Sequence, residues 1–385
     1  MTVTQIILVS DQAAPAFLPA LDSELKPDQA VLVVTPGMAR KGRDQHLDKL
    51  LRANGISVLR HALPEQHEYA LIEESLTTMA LRPELESGTV YLNLTGGTKL
   101  MALAAQNVAR HLAPHWRSFY MDLETDRVLW IGKEGWPQSQ PPQPRVLDSS
   151  VRIPSYLRGY GYEVPQGVQR PGLRPAQRDL IQEIVLDIPS LAPQIGRLNA
   201  IAQDSEDQRL LSVARGDDRK VRIDRLLELF QQAGSLNFSG DKVTFASEAE
   251  RDFVKGGWLE RHVFETVSAL HGDLGIRDKA LGLLVREGDT ATVNELDVCF
   301  LHRNHFYVIE CKTARMNQDQ RANDILYKLE SIHSRVGGLG ARGMLVSYRE
   351  VSKGEGQLAR ALGVRVVQGA AITNLRSEIA RWVRG

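Results

Sequence analysis

Over the first 135 residues, short β-prone apolar runs alternate with amphipathic stretches. That alternation restricts the fold more than any other feature of the chain. "QIILVS" is followed by the helically spaced "APAFLPALDSEL". "QAVLVVTP" is followed by "GRDQHLDKLLRANG", with Leu47, Leu50 and Leu51 on one face. "ISVLRHALP" is followed by "EYALIEESLTTMALRPEL", and "GTVYLNLTGG" by a further helix from Ala102 to Leu112. Strands separated by helices pair in parallel, so a parallel sheet with helices on both faces is expected, of Rossmann-like α/β type. "WRSFYMDLETDRVLWIG" reads as a hairpin that turns at Glu124 to Asp126.

The proline- and glutamine-rich "EGWPQSQPPQPRV", residues 134–146, reads as a linker and ends this unit. Three helical segments follow, "PAQRDLIQEIVLDI", "LAPQIGRLNAIAQDS" and "RKVRIDRLLELFQQAG". After them "SLNFSGDKVTFAS" reads as a hairpin turning at Gly240–Asp241. This middle unit is either winged-helix-like or a helical connector. From "GGWLERHVFETVSALHGDLG" onward the pattern is helix, hairpin, helix, strand, helix. The expected division is 1–140, 141–245 and 246–385. The 385 residues carry a formal net charge of zero, so no global positive field points to nucleic acid. There is no run of about 18 apolar residues, and "MTVTQIILVSDQ" lacks the basic start of a signal peptide. With two cysteines, Cys299 and Cys311, a reduced cytoplasmic setting without membrane attachment is expected, and no cysteine-rich zinc site can be built.

"NLTGGTKLM", residues 93–101, is a strand-to-helix turn crowded with groups that suit an anion. A helix N-terminus offers unpaired N–H groups and partial positive charge. Gly96 and Gly97 would admit a ligand to the backbone, Thr95 and Thr98 could cap the helix or donate to phosphate, and Lys99 adds a full charge. Neither the Walker nor the dinucleotide glycine pattern is met, which disfavours ATP hydrolysis and dinucleotide binding. A Gly-Gly turn capped by Thr98 would explain the segment alone. The other strand ends add Ser10, Asp11 and Gln12, then Thr35 and Met38 with Arg40 and Lys41 behind them. In a parallel sheet these loops gather at one edge, as a nucleotide site requires.

"NELDVCFLHRNHFYVIECKTAR" holds the second constellation. A bare D…E-x-K match arises by chance about once in a chain of this length. Here the flanks are apolar and β-prone, with "HRNH" between them as a turn. A turn centred on Arg303–Asn304 pairs residues whose numbers sum to 607, so Asp297 lies opposite Glu310 and Glu295 opposite Lys312. Glu310 and Lys312 share a face by strand period. Two adjacent carboxylates call for a cation between them, and Mg²⁺ or Mn²⁺ suits oxygen ligands. The lysine would orient the attacking water or offset phosphorane charge. The competing reading is a solvated hairpin face with a Glu–Lys pair. The pairing also puts Cys299 and Cys311 on opposite faces, against a disulfide. Upstream, Glu260 shares a helix face with Phe264 and Val267.

Residues 257–347 resemble the PD-(D/E)xK nuclease fold, a restriction-endonuclease-like α/β domain, with Glu260 on the leading helix, Asp297 on the second strand and Glu310-Cys311-Lys312 on the third. Leu296 stands where that motif usually has proline. Through "LVSDQ", "VTPGM" and "LTGGTKLMA", the N-terminal unit is similar to the CRISPR-associated Rossmann-fold (CARF) sensor domain. The combination resembles the nucleases of type III CRISPR defence that a cyclic oligoadenylate switches on. This resemblance implies a homodimer that binds cyclic tetra-adenylate through Ser10, Asp11, Gln12, Thr35, Met38, Thr95, Gly96, Gly97, Thr98 and Lys99. It implies catalysis by Glu260, Asp297, Glu310 and Lys312, and a metal held by Asp297, Glu310 and the Cys311 carbonyl. Single-stranded DNA, RNA and nicked duplex DNA all remain open as substrates. The rival readings are a CARF transcription regulator that binds duplex DNA and a restriction or repair nuclease that needs no activator.

Overall fold

The computed structural model describes residues 2–66, 68–132, 135–136, 142–168, 172–216, 221–288, 293–313, 319–337 and 341–385. The first unit is a seven-stranded sheet of β1 (Val3–Leu8), β2 (Gln29–Val34), β3 (Ser57–Ala62), β4 (Thr89–Asn93), β5 (Arg117–Asp122), β6 (Arg127–Ile131) and β7 (Arg145–Val146). The order is β3-β2-β1-β4-β5-β6-β7, with β1 to β5 parallel and the last two strands antiparallel. Between them run α1 (Ala14–Ala20), α2 (Pro36–Arg40), α3 (Arg43–Ala53), α4 (Tyr69–Ala80), α5 (Pro83–Glu86) and α6 (Lys99–His111). Apolar stripes on α1 and α3 (Phe17, Leu47, Leu50) cover one face of the sheet. Those of α4 and α6 (Ile72, Leu76, Met101, Ala105) cover the other.

Several details differ from the sequence reading, among them the start of α6 at Lys99 rather than Ala102. The helix expected across residues 68–85 breaks before Pro83, which forces Arg82 into extended backbone (ψ 139°). Arg145 and Val146, expected in the linker, pair with β6 and lengthen the first sheet. The expected division at 140/141 lies outside the described residues.

The middle unit contains α7 (Ile153–Gly159), β8 (Tyr162–Glu163), α8 (Pro175–Leu186), α9 (Ile188–Asp207), β9 (Ser212–Ala214), α10 (Asp224–Gln232), β10 (Leu236–Ser239) and β11 (Lys242–Phe245). The hairpin β10–β11 turns at Gly240–Asp241, and β9 adds to it as a third strand. Helices α8 to α10 pack with this small three-stranded sheet around one apolar core.

The third unit starts with α11 (Glu248–Asp252), a π-helical turn at Phe253–Gly257, α12 (Trp258–Ala269) and α13 (His271–Leu274). It continues through β12 (Ile276–Glu287), β13 (Val293–His302), β14 (His305–Lys312), α14 (Asp319–Gly337), β15 (Ala341–Ser347), α15 (Lys353–Ala361), β16 (Arg365–Gln368) and α16 (Leu375–Arg384). The sheet order is β16-β15-β14-β13-β12-β8, so the short β8 from the middle unit closes one edge. Leu326, Leu329 and Ala359 of α14 and α15 pack on one face, and Val263, Val267 and Ile379 of α12 and α16 on the other. Cys299 and Cys311 fall into different cores, and both are free thiols.

The α1/α3 side of the first sheet does not end at solvent. Its core continues through α7 into the third unit. The Phe17 ring meets Tyr156 edge-on at 5.6 Å, and Tyr156 stacks on Phe306 of β14 at 5.5 Å. The Ala14 N–H donates to the Tyr160 hydroxyl (3.2 Å), and the Ser149 hydroxyl to the Asn304 amide oxygen (2.7 Å). Among the described residues, no helix is long and apolar enough to cross a membrane.

Candidate ligand edge and candidate nuclease centre

In the first sheet the strand order reverses between β1 and β4, and the crevice beyond their C-terminal ends is where open α/β sheets bind ligands. The loops after these two strands carry Ser10 to Gln12 and Thr95 to Lys99. The Ser10 hydroxyl donates to the Gln12 carbonyl (3.1 Å). The Gln12 amide oxygen is buried without a hydrogen-bond partner. Asp11 is ion-paired to Lys41 (2.6 Å) and Arg43 (3.2 Å). Burial works to raise its pKa, but these two cations outweigh it and hold the carboxyl below the usual range. Asp11 thereby holds two cations at this edge. The Thr35 hydroxyl accepts the Met38 N–H (3.2 Å) and caps α2.

The glycine turn has a different physical origin from the one its sequence suggests. A side chain on Gly96 would overlap the Leu8 carbonyl oxygen, and one on Gly97 would stand 3.0 Å from both Leu8 Cβ and Met101 Cε. Gly97 is also left-handed, at φ 71°. The chain's own close packing on the end of β1 thus demands both glycines. The Thr95 hydroxyl accepts the Met121 N–H (2.7 Å), which ties the loop to β5, and Thr98 caps α6 by accepting the Met101 N–H (3.2 Å). Gly96→Ala is therefore expected to destabilise the protein by about 3 kcal/mol, visible as a lower thermal midpoint. An unchanged midpoint would contradict this packing. Lys99 is exposed, opens α6, and has no acid beside it in the first turn. A cation at the positive end of a helix costs about 0.3–1 kcal/mol. Its placement makes sense if an anion completes the site.

The candidate nuclease centre is built where β13 and β14 part. Their register runs from His302↔His305 to Val298↔Ile309, so paired numbers sum to 607. Beyond that point the Cys311 N–H donates to the Asp297 side chain (Oδ2, 2.7 Å). On the other side, β12 pairs with β13 at Leu281↔Val298 and Leu283↔Leu296 but skips the position between them. Gly282 occupies it at φ 56°, opposite Asp297, and a side chain there would approach Glu295 Oε1 to 3.3 Å. This kink frees Asp297 from regular pairing.

Asp297 and Glu310 are 8% and 4% exposed. Lys312 Nζ lies 2.7 Å from Glu310 Oε1 and 3.7 Å from Asp297 Oδ2. Burial, then the Glu310 charge, pushes the Asp297 carboxyl up to about 6. Burial would discharge Lys312, but Asp297 and Glu310 overcome it and hold the ammonium well above its usual range. Glu260 lies in the first turn of α12, just beyond the kink in the chain at Gly256 (φ 166°, ψ −19°). Burial, then the charges of Asp297 and Glu295, raises its carboxyl to about 8. Thr313 follows Lys312. Its hydroxyl donates to the Lys255 carbonyl (3.3 Å) and accepts from Asn199 of α9 (3.0 Å), which fastens the end of β14 to the π turn.

The expected pairing of Glu295 opposite Lys312 is not continued by the ladder: Lys312 turns to Glu310 and Asp297, and Glu295 is exposed. Three contributors were not anticipated from the sequence: Gly282, Thr313 and Lys328. Lys328 Nζ lies 3.9 Å from Glu310 Oε1 and 3.4 Å from the Glu295 carbonyl oxygen. Its signal was a lysine inside the apolar stripe Ile325, Leu329, Ile332. Among the described residues, no three His, Cys, Asp or Glu side chains stand ready-arranged around a metal position. The Lys312 ammonium lies between the two carboxylates.

Residues 4–134 match the family model of the Card1 CARF domain, and residues 247–385 that of the Card1-like endonuclease domain. Nothing among curated proteins matches the chain. Among solved structures, protein VC1899 from Vibrio cholerae is 24% identical with a TM-score of 0.87, over 99% of this chain and 98% of that one. Can2 from Sulfobacillus thermosulfidooxidans, solved in complex with cyclic tetra-adenylate, is 23% identical with a TM-score of 0.79, over 99% and 97%. A type III CRISPR defence DNA nuclease activated by cyclic oligoadenylate is 21% identical with a TM-score of 0.55, over 91% of this chain and 46% of that one. The fold is thus shared along nearly the whole chain with VC1899 and Can2. The chain joins a Card1-type CARF domain to a Card1-like endonuclease domain.

Proposed function

We propose that this protein is a cytoplasmic, homodimeric endonuclease of type III CRISPR defence, silent until a cyclic oligoadenylate, cyclic tetra-adenylate in our reading, binds its CARF edge. The observation that carries the nuclease part is the convergence of Asp297, Glu310 and Lys312 within one buried patch. The ring would lie against Ser10, Asp11, Gln12, Thr35, Met38 and Thr95 to Lys99, where Lys41, Arg43 and Lys99 provide positive charge.

The donor set fits Mg²⁺ or Mn²⁺. It is all oxygen, and Asp297 and Glu310 are two buried carboxylates on one patch. Asp297 and Glu310 would hold the ion. The Cys311 carbonyl would join them, because a strand residue projects its N–H and C=O to the same side and the Cys311 N–H points at Asp297. The ion supplies Lewis acidity toward the phosphodiester and a more acidic water. Lys312 remains the charge that meets the phosphorane, and Glu260 completes the acidic wall.

The regulator alternative is weaker, because α10 is poorly suited to a phosphate backbone. Its cation, Arg225, is engaged by Asp187 (3.1 Å) and Glu183 (3.6 Å), while Glu228 is exposed. The test is to incubate the protein with Mn²⁺ and labelled single-stranded DNA, RNA and nicked duplex DNA, with and without cyclic tetra-adenylate. Cleavage should need both ring and metal and stop in excess EDTA. Cutting without the ring would leave an activator-independent nuclease. Duplex binding without any cutting would leave a regulator.

A further inference from the structure

Helix α14 lies along the face of the sheet that carries Glu310. Its inward stripe is apolar: Leu326 and Leu329 are buried, and Ile325 and Ile332 pack beside them. Lys328 falls within that stripe, yet its side chain is 40% exposed. A lysine can keep its ammonium at the surface from such a position, and here the ammonium stands beside Glu310 and the Glu295 carbonyl.

The contacts of that ammonium are loose. It reaches the Glu295 carbonyl at 3.4 Å and Glu310 Oε1 at 3.9 Å, against 2.7 Å for Lys312 on the same oxygen. A good charge-assisted bond is about 2.7–2.9 Å. Glu310 is therefore already matched by Lys312, and Lys328 is a second cation held nearby by charge with donors to spare. With Glu295 counted beside Asp297 and Glu310 against Lys312, Lys328 and a divalent ion, the centre would be net positive with Glu260 protonated and neutral with it ionised, so an incoming phosphate would meet no net negative charge.

We infer that Lys328 binds a backbone phosphate of the nucleic acid at the cleavage site. The inference rests on the nuclease reading above. It assigns Lys328 to substrate binding and leaves the reacting atoms to Lys312 and the carboxylates.

The test compares wild type, Lys328→Ala and Lys328→Arg as full-length proteins, each with cyclic tetra-adenylate. Binding of a short labelled single strand, as DNA and as RNA, is measured by anisotropy in EDTA across a salt series. Loss of one phosphate contact should lower the slope of log affinity against log salt by about 0.7. Lys328→Ala should show that loss with about tenfold weaker binding, and Lys328→Arg should restore both. In Mn²⁺, Lys328→Ala should raise KM about tenfold and change kcat less than about threefold. An unaltered slope and affinity in Lys328→Ala overturns the assignment. So does a collapse of kcat at constant KM, which would place Lys328 in the chemistry. Thermal midpoints identify a variant that has lost its fold, in which case Lys328→Gln takes its place. If wild type neither binds nor cuts either strand, the nuclease reading fails instead.

Discussion

Glu310→Ala protein is expected to cut nucleic acid about 10³-fold more slowly than wild type, or not at all, while it binds the cyclic oligoadenylate unchanged. A factor of 10³ is about 4 kcal/mol of barrier, a magnitude typical for loss of one preorganised charged group. Glu310 contacts both lysines of the centre, and removing it leaves Asp297 without the second buried carboxylate of this hairpin. Lys312→Ala should be equally inactive, with an added cost in stability. Without the ammonium, two carboxylates exposed by 4% and 8% face one another with Lys328, 3.9 Å from Glu310, in place of a close partner, and breaking a buried pair costs about 3–5 kcal/mol. The two variants should therefore separate: Glu310→Ala fails in cleavage alone, and Lys312→Ala also melts earlier. Cleavage is read on gels with Mn²⁺, ring binding by calorimetry and stability by thermal unfolding. Full cutting by purified Glu310→Ala would sink the assignment.

Lys99→Ala should abolish activation without loss of fold, and wild type should bind one ring per two chains. A ring of four phosphates has symmetry compatible with a twofold axis, and a C₂ dimer presents the same loop twice across that axis. Each charge-assisted contact is worth roughly 1.5–3 kcal/mol, so the substitution removes about 3–6 kcal/mol per dimer if both contacts add. Lys99 suits this test because it is exposed, and among the described residues it makes no hydrogen bond or ion pair that its removal would break. The contrast with Gly96→Ala is diagnostic, since there the fold itself should suffer. Calorimetry that gives one ring per chain, or tight binding by Lys99→Ala, would refute this account.

The legible parts of this protein were those governed by local period. Alternating runs imply the parallel sheet, and the turn at Arg303–Asn304 sets a hairpin register that the backbone keeps as far as Val298↔Ile309. What was hidden depends on residues distant in sequence. Gly96 looks like a ligand cradle until Leu8 is seen beneath it. Gly282 is an unremarked glycine until its strand is laid beside Asp297. Lys328 reads as one charge on an amphipathic helix, because nothing local says that its helix crosses beside Glu310. Strand β9 has three residues and no alternation long enough to register.

The aromatic column from Phe17 through Tyr156 to Phe306 has a consequence for how long a signal lasts. Phe17 belongs to the helix that follows the Ser10–Gln12 loop, and Phe306 to the strand that ends in Glu310 and Lys312. Close-packed interiors resist compression, so a shift at one end that displaces this column would be felt at the other. Equilibrium coupling has no preferred direction. If the ring strengthens the grip on nucleic acid by some factor, nucleic acid strengthens the grip on the ring by the same factor. A molecule engaged with its target would then hold its activator more tightly than an idle one, and activity would fade last where there is still something to cut.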